Sequence, residues 1–252
     1  MTTKPERPSA TIAEQDGLRT LHLGDTPWVQ GAMLVREPRI IVLEYVQRMM
    51  AWMLWRDSTE LTSGHAVQLG LGAGAITRYC HQVLRMDRVT AVELNPAVIA
   101  ACRQGFRLPP DDARLTVLEA DAQAWVEDDA NLQTAQVLNV DLYDHEAAAP
   151  VLDSEAFYAA CRGALAYGGV MSVNLFGRAA SFEKSAARIA AAFGANQVWS
   201  LRPTREGNTV VIAARGVQVP GREALSARAA TIERRHGLRA GKWLRMVRPY
   251  KA

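Results

Sequence analysis

The chain has 252 residues, of which 49% are hydrophobic and 22% are charged, and its formal net charge is +3. This composition is ordinary for a soluble protein, with enough chain for one large core, or for one core and a small appendage. The longest strongly apolar stretch, residues 49–55, is far shorter than the roughly 20 residues that span a bilayer, and the N-terminus lacks the apolar core of a signal peptide. We therefore expect no membrane association and a cytoplasmic location.

The three cysteines, Cys80, Cys102 and Cys161, are widely spaced, with no C-x-x-C pair and no histidine at metal-ligand spacing. Neither a disulfide framework nor a zinc site fits this pattern. We expect buried, reduced thiols and no bound metal.

The first 36 residues are predicted to form a small β-hairpin region. Residues 11–14 and 18–23 alternate in the manner of strands, and Asp16-Gly17 between them is a typical hairpin turn. A second turn at residues 24–27 leads into a further strand candidate over residues 28–33. This region precedes the main domain.

A helix is predicted from Pro38 to about Trp55, because apolar residues there recur at spacings of three and four. From residue 65 onward, strands and helices alternate. Strands are predicted near residues 66–70, 89–93, 115–119, 136–141, 169–175, 196–201 and 208–214. Helices are predicted at residues 96–104, 153–165 and 179–193.

The alternation predicts an α/β domain over residues 37–215 with a seven-stranded, doubly wound and mostly parallel sheet. Gly207-Asn208 separates the last two strand candidates, which are therefore expected to pair as a hairpin with one antiparallel strand. Such a sheet is similar to that of the S-adenosylmethionine methyltransferases. This resemblance concerns the fold only.

The glycine loop after the first strand of this domain is the most informative motif. Gly70, Gly72 and Gly74 follow an apolar run, and Glu93 ends the next apolar run about 20 positions later. Glycines let a ligand lie against the backbone, and a carboxylate at a strand end can accept bonds from two ribose hydroxyls. Because the spacing differs from G-x-G-x-x-G, we predict an adenosyl ligand without a pyrophosphate.

Two further strand ends carry acidic residues. Asp121 follows the third strand of the domain, where it could accept the amino group of adenine while the N–H of Ala122 donates to a ring nitrogen. Asp121 could equally cap the helix that follows, and both roles are compatible. Asp141 and Asp144 follow the fourth strand and suit an amine substrate, which one of them could deprotonate. As an alternative, these two carboxylates cap the next helix.

These motifs resemble those of the polyamine aminopropyltransferases, or spermidine synthases, and most closely their divergent bacterial spermidine synthase-like branch. The resemblance runs from about Val29 to Ala214. The family motifs V-x-Q, Y-Q-E-M, G-G-G-D-G-G, E-I-D and D-S-x-D-P correspond to segments that contain Gln30, Gln47, Gly70 to Ala75, Glu93, and Asp141 with Asp144. The family's acidic residue on the adenine side corresponds to Asp121.

The resemblance implies a transferase that moves an aminopropyl group from decarboxylated S-adenosylmethionine to an amine such as putrescine. It implies that the donor is bound by Gln30, Gln47, Gly70, Gly72, Gly74, Glu93, Asp121 and Ala122. It also implies that Asp141 is the base and that the protein is a homodimer.

The chain departs from the family pattern at several positions. The loop aspartate that holds the donor's amine is Ala73, the Tyr and Glu of Y-Q-E-M are Val46 and Arg48, and P-T-Y-P-x-G is replaced by residues 203–208. Two alternatives stay open: a methyltransferase that uses S-adenosylmethionine, and a nucleoside-binding homologue without catalysis. The product nucleoside, methylthioadenosine or S-adenosylhomocysteine, would distinguish the two enzymes.

The last stretch, residues 216–252, is predicted to be a basic helical tail. Seven basic residues lie in its second half: Arg234, Arg235, Arg239, Lys242, Arg245, Arg248 and Lys251. Such a charge run could attract nucleic acid, but a solvated helix is the interpretation we favour.

Overall fold

The computed structural model describes residues 7–143, 150–177 and 179–251. The N-terminal region forms a three-stranded antiparallel sheet in the order β1-β2-β3. Its strands are Ala10–Gln15 (β1), Leu18–Leu23 (β2) and Gly31–Leu34 (β3). Asp16 and Gly17 have φ values of 50° and 76°. This left-handed pair forms the tight turn that the sequence predicted.

The main sheet has eight strands in the order β11-β9-β10-β8-β7-β4-β5-β6. The strands are His65–Leu69 (β4), Arg88–Glu93 (β5), Leu115–Glu119 (β6), Ala135–Val140 (β7), Leu165–Phe176 (β8), Val198–Ser200 (β9), Asn208–Ala214 (β10) and Arg248–Pro249 (β11). Strands β4 to β8 pair in parallel, and β10 is antiparallel to both β8 and β9. The α/β fold and its reversed hairpin are confirmed.

The predicted count of seven strands is one too low. The extra strand, β11, comes from the C-terminal tail and is only two residues long. It pairs with the outer edge of β9, where the N–H of Tyr250 also donates to the carbonyl of Val198 (2.8 Å). The edge of a sheet offers unpaired backbone groups, and the tail satisfies some of them.

The helices are Glu44–Met49 (α1), Ala75–Arg78 (α2), Pro96–Gly105 (α3), Ala122–Glu127 (α4), Glu155–Ala164 (α5), Ala179–Phe193 (α6), Arg222–His236 (α7) and Ala240–Met246 (α8). Helices α7 and α8 lie in the last stretch of the chain, residues 216–252. Helix α2 continues as a π-helical turn, and α1 continues as a 3₁₀ helix over Met50–Leu54.

The helix predicted from Pro38 begins only at Glu44. The segment before it is held in turns, because the N–H of Ile40 donates to the carbonyl of Glu37 and the side chain of Gln47 donates to the carbonyl of Ile41 (2.7 Å). The carbonyl of Ile41 is therefore used by a side chain and not by a helical turn. The start of the predicted helix was wrong by six residues.

Apolar side chains cover both faces of the main sheet. Helix α1, its 3₁₀ extension and the tail helices pack on one face around Met49, Trp52 and Trp243, while α4, α5 and α6 pack on the other face. A third cluster joins the N-terminal sheet to the glycine loop and α3. In the described part of the chain, no helix is long and apolar enough to cross a membrane.

Candidate active site

A cleft of about 750 Å³ lies at the carboxyl ends of the parallel strands. The segment between β2 and β3, with Trp28 and Gln30, forms one wall, and the tip of the β9–β10 hairpin contributes Glu206. Open α/β sheets bind ligands at this end, outside the carboxyl ends of their strands. The cleft is therefore the candidate active site.

Two loop glycines are required by the backbone geometry at the floor of the cleft. Gly70 has a φ of 82°, and a Cβ there would lie 2.1 Å from the carbonyl oxygen of Asp141. Gly72 has a φ of 51°, and its Cβ would lie 2.9 Å from the carbonyl oxygen of Gln30. The glycine loop, the segment at Asp141 and the segment at Gln30 therefore lie in close contact, and any larger side chain at Gly70 or Gly72 would push them apart.

Glu93 is partly buried at the end of β5 and is held by backbone N–H groups on either side of the cleft floor. Its Oε2 accepts the N–H of Leu71 (2.9 Å) and its Oε1 accepts the N–H of Asn95 (2.8 Å). Burial raises the pKa of this carboxyl, and the backbone bonds oppose that rise. A carboxylate has about four acceptor sites, so it can accept a ligand hydroxyl in addition to these backbone bonds.

Asp121 caps helix α4 and also lines the cleft. Its Oδ1 accepts the N–H groups of Gln123 (2.7 Å) and Ala124 (3.1 Å). The capping alternative is therefore confirmed. Because both bonds use Oδ1, the second oxygen, Oδ2, takes no part in capping the helix. The next residue, Ala122, also lines the cleft.

Asp141 lies at the centre of a network of polar side chains. Its Oδ1 accepts a hydrogen bond from Nδ2 of Asn174 (2.9 Å), and Oδ1 of Asn174 accepts one from Nδ2 of Asn208 (3.1 Å). The hydroxyl of Tyr45 also interacts with the carboxylate by hydrogen bonding. Burial raises the pKa of Asp141, while both hydrogen-bond donors lower it. The network fixes the orientation of a carboxylate that holds a proton more tightly than one in water.

The cleft is strongly acidic. Five carboxylates line it: Glu93, Asp121, Asp141, Glu206 and Glu44, of which Glu44 forms ion pairs with Arg48 and Lys242. No lysine, arginine or histidine belongs to the lining within residues 7–143, 150–177 and 179–251. Trp28 and Phe176 meet edge to face beside these groups, with ring centroids 6.3 Å apart. A cleft with this charge favours a cationic ligand.

Two curated proteins are similar to this chain over most of its length. The polyamine aminopropyltransferase of Chromobacterium violaceum is 31% identical over 244 residues, which cover 96% of this chain and 90% of that protein. The polyamine aminopropyltransferase of Neisseria meningitidis serogroup A is 32% identical over 206 residues, which cover 82% of this chain and 76% of that protein. The chain belongs to the polyamine aminopropyltransferase family. No family model matches the chain.

Solved structures support the same fold. A probable spermidine synthase from Corynebacterium glutamicum matches with a TM-score of 0.71 at 18% identity, over 89% of this chain and 83% of that one. Human methyltransferase-like protein 13, in complex with SAH, matches with a TM-score of 0.66 at 19% identity, over 83% of this chain and 96% of that one. Aminopropyltransferases and methyltransferases thus share this fold, and the sequence relatives decide the family.

Most of the site residues that the sequence predicted lie together in the cleft. Those that line it are Gln30, Gly70, Gly72, Glu93, Asp121, Ala122 and Asp141. Gly74, the N-cap residue of α2, and Gln47, whose amide donates to a backbone carbonyl, are not part of the lining. Asp144 lies outside the described residues.

Sequence reasoning missed Tyr45 and Asn174, which hold Asp141. Tyr45 falls at the helical spacing of its apolar neighbours, so nothing in the sequence marks its hydroxyl as functional. Asn174 carried a usable signal, since it is an amide near the carboxyl end of the buried strand β8. A polar side chain at that position of an open α/β sheet faces the ligand side.

Proposed function

We propose that the chain transfers the aminopropyl group of decarboxylated S-adenosylmethionine to a small amine such as putrescine. Membership of the aminopropyltransferase family supports this proposal. The observation that carries it is the charge of the cleft, since five carboxylates and no basic side chain line its described part. The decarboxylated donor carries a sulfonium and an ammonium group but no carboxylate. S-adenosylmethionine itself would place a carboxylate among these acids.

The adenosyl end of the donor is assigned to the glycine loop and to the ends of β5 and β6. Glu93 would accept the ribose hydroxyls with its remaining lone pairs, and Asp121 with Ala122 would pair with adenine. Gly70 and Gly72 expose backbone on which the ligand can lie, and Gln30, whose carbonyl lies beside Gly72, lines the same space. This arrangement leaves the sulfonium near the end of β7, where Asp141 lies.

Asp141 is assigned as the proton acceptor. An alkyl amine has a pKa near that of lysine, about 10, so at neutral pH it arrives as an ammonium ion that cannot attack carbon. The carboxylate of Asp141 attracts this ion and removes one proton. The hydrogen bonds from Asn174 and Tyr45 hold the carboxylate in place while the proton moves.

The reaction then needs little more than alignment. The lone pair of the amine nitrogen forms a bond to the carbon beside sulfur, the carbon–sulfur bond breaks, and its electrons stay on sulfur as a neutral thioether. The products are methylthioadenosine, the longer polyamine and the proton held by Asp141. Because the sulfonium is a good leaving group, holding nitrogen, carbon and sulfur in line supplies most of the acceleration.

The test uses the purified full-length protein with putrescine and either donor, and it identifies the nucleoside and amine products by mass spectrometry. We expect methylthioadenosine and spermidine from the decarboxylated donor and no S-adenosylhomocysteine from S-adenosylmethionine. Formation of S-adenosylhomocysteine would refute the proposal in favour of methyl transfer. The proposal also includes two properties of the protein: it is a homodimer, which sedimentation would measure, and it is located in the cytoplasm.

A further inference from the structure

A small cavity of about 20 Å³ adjoins the cleft behind the glycine loop. Its lining shares Gln30, Tyr45, Gly72 and Asp141 with the cleft. Ala73 also lines it, and the short side chain of this loop residue leaves the space empty of protein atoms. One water-sized group needs roughly 10–15 Å³, so the cavity holds a single such group.

Gln68 on β4 presents an unused hydrogen-bond acceptor in this lining. The residue is only 5% exposed, and its Nε2 donates to the carbonyl of Gly70 (2.8 Å). That bond fixes the orientation of the amide, because the reversed amide would set two oxygens against each other. Its Oε1 is buried and has no partner among the described residues. A buried acceptor without a partner is costly unless a ligand or a water satisfies it.

The charge around the cavity favours a cation over a neutral donor. The carboxylate of Asp141 is part of the same lining, and no basic side chain belongs to the described lining of either space. The proposed donor has one group of the right size and charge, the ammonium at the end of its aminopropyl arm. This group carries three N–H donors, one of which Oε1 of Gln68 can accept.

We propose that Gln68 binds the terminal ammonium of the donor in this cavity, as an acceptor on the strand in place of a carboxylate in the glycine loop. The loop residue that could supply such a carboxylate is Ala73. The inference rests on the proposed function, because it assumes a donor that ends in an ammonium group. It makes Gln68 a residue that selects the donor by its aminopropyl arm.

The test compares the affinities of two nucleosides by calorimetry. Decarboxylated S-adenosylmethionine carries the aminopropyl arm, and methylthioadenosine lacks it. Gln68→Met removes the acceptor, and with it the Nε2 donor to Gly70, without changing charge. The attraction of the site for the sulfonium is preserved, and any effect on the loop acts on both ligands. We expect the affinity ratio between the two ligands to fall about 10-fold to 100-fold, the usual range for a hydrogen bond to a charged group.

Two further variants separate this role from a general effect on the loop. Gln68→Glu keeps an acceptor oxygen and adds charge, but its second oxygen faces the carbonyl of Gly70, so both affinities should fall with the loop. Their ratio should still be at least that of the wild type. Cys102→Ala is the matched control, because the Cys102 thiol donates to the carbonyl of Gly72 (3.0 Å) from the other side of the loop. It should leave the ratio unchanged.

An unchanged affinity ratio in Gln68→Met would overturn the inference, whether both affinities fall together or neither falls. Water, and not the ammonium group, would then be the occupant of the cavity. A wild-type protein that binds neither nucleoside would instead refute the proposed function. The two failures are therefore distinguishable in one set of titrations.

Discussion

Replacing Asp141 with asparagine tests the assigned proton acceptor with little change in shape. The asparagine Oδ1 can still accept the hydrogen bond from Asn174, which in the wild type is 2.9 Å long. The amide cannot take a proton from an amine at neutral pH. General bases contribute about 10²-fold to 10⁴-fold to rate, so we expect kcat to fall by that factor.

The same substitution should not weaken the fold. Burial raises the pKa of Asp141 above its usual value of 3.8, so the folded protein binds this proton more tightly than the unfolded chain does. The charged carboxylate therefore lowers stability at every pH above its folded pKa, by about 1.4 kcal/mol for each unit of the shift. A neutral asparagine removes that cost, and the melting temperature at pH 7 should stay the same or rise.

The assay follows methylthioadenosine release under saturating donor, with the affinity for methylthioadenosine measured separately by calorimetry. We expect unchanged nucleoside affinity together with the loss of turnover. Asp129→Asn, at an exposed residue outside the cleft, is the control for loss of a carboxylate elsewhere. Turnover in Asp141→Asn within a few-fold of the wild type would remove Asp141 as the base.

Three other substitutions test the loop, the ribose site and the tail. Gly70→Ala places a Cβ 2.1 Å from a carbonyl oxygen at a φ of 82°, and urea unfolding should show a loss of at least about 2 kcal/mol. Glu93→Gln sets an NH₂ group against a backbone N–H, and calorimetry should show at least about 10-fold weaker methylthioadenosine binding. Lys242 and Arg48 lower the pKa of Glu44 to about 2 from 4.5, so their stabilisation is full above pH 4.5 and is lost as the pH falls through 2. Because Glu44 is partly exposed, Lys242→Ala should cost less than about 1 kcal/mol at pH 7 and clearly less at pH 2, where the carboxyl is half protonated.

Each of these three predictions has a result that would contradict it, and the first also has a control variant. Gly168 has a φ of 81°, and a Cβ at this residue would have no neighbour within 4 Å, so Gly168→Ala reports backbone strain alone. A Gly70→Ala variant that is no less stable than Gly168→Ala would contradict the predicted clash. Undiminished nucleoside binding in Glu93→Gln would exclude the ribose role. An equal effect of Lys242→Ala at pH 7 and pH 2 would show that its ion pair with Glu44 is not the cause.

Local patterns were enough to predict most of the secondary structure. The Asp16-Gly17 turn, the parallel strands and the β9–β10 hairpin each follow from residues close in sequence. The start of α1 did not, because a side chain six residues away occupies the carbonyl of Ile41. The eighth strand was missed for a similar reason, since it pairs with an edge almost 50 residues earlier in the chain.

The sequence by itself determined the family and the positions of the glycine loop, Glu93 and the carboxylate of Asp141. These signals are local, because backbone conformations with positive φ require glycine and each acidic residue directly follows its own strand. Only the tertiary structure decided which groups surround them. Asn174 and Tyr45 reach Asp141 from β8 and α1, and Asn208 reaches Asn174 from β10. Gln68, whose Oε1 has no partner among the described residues, lines a cavity beside Ala73. Hydrogen bonds between distant residues depend on how the elements pack, and no periodicity along the chain records that packing.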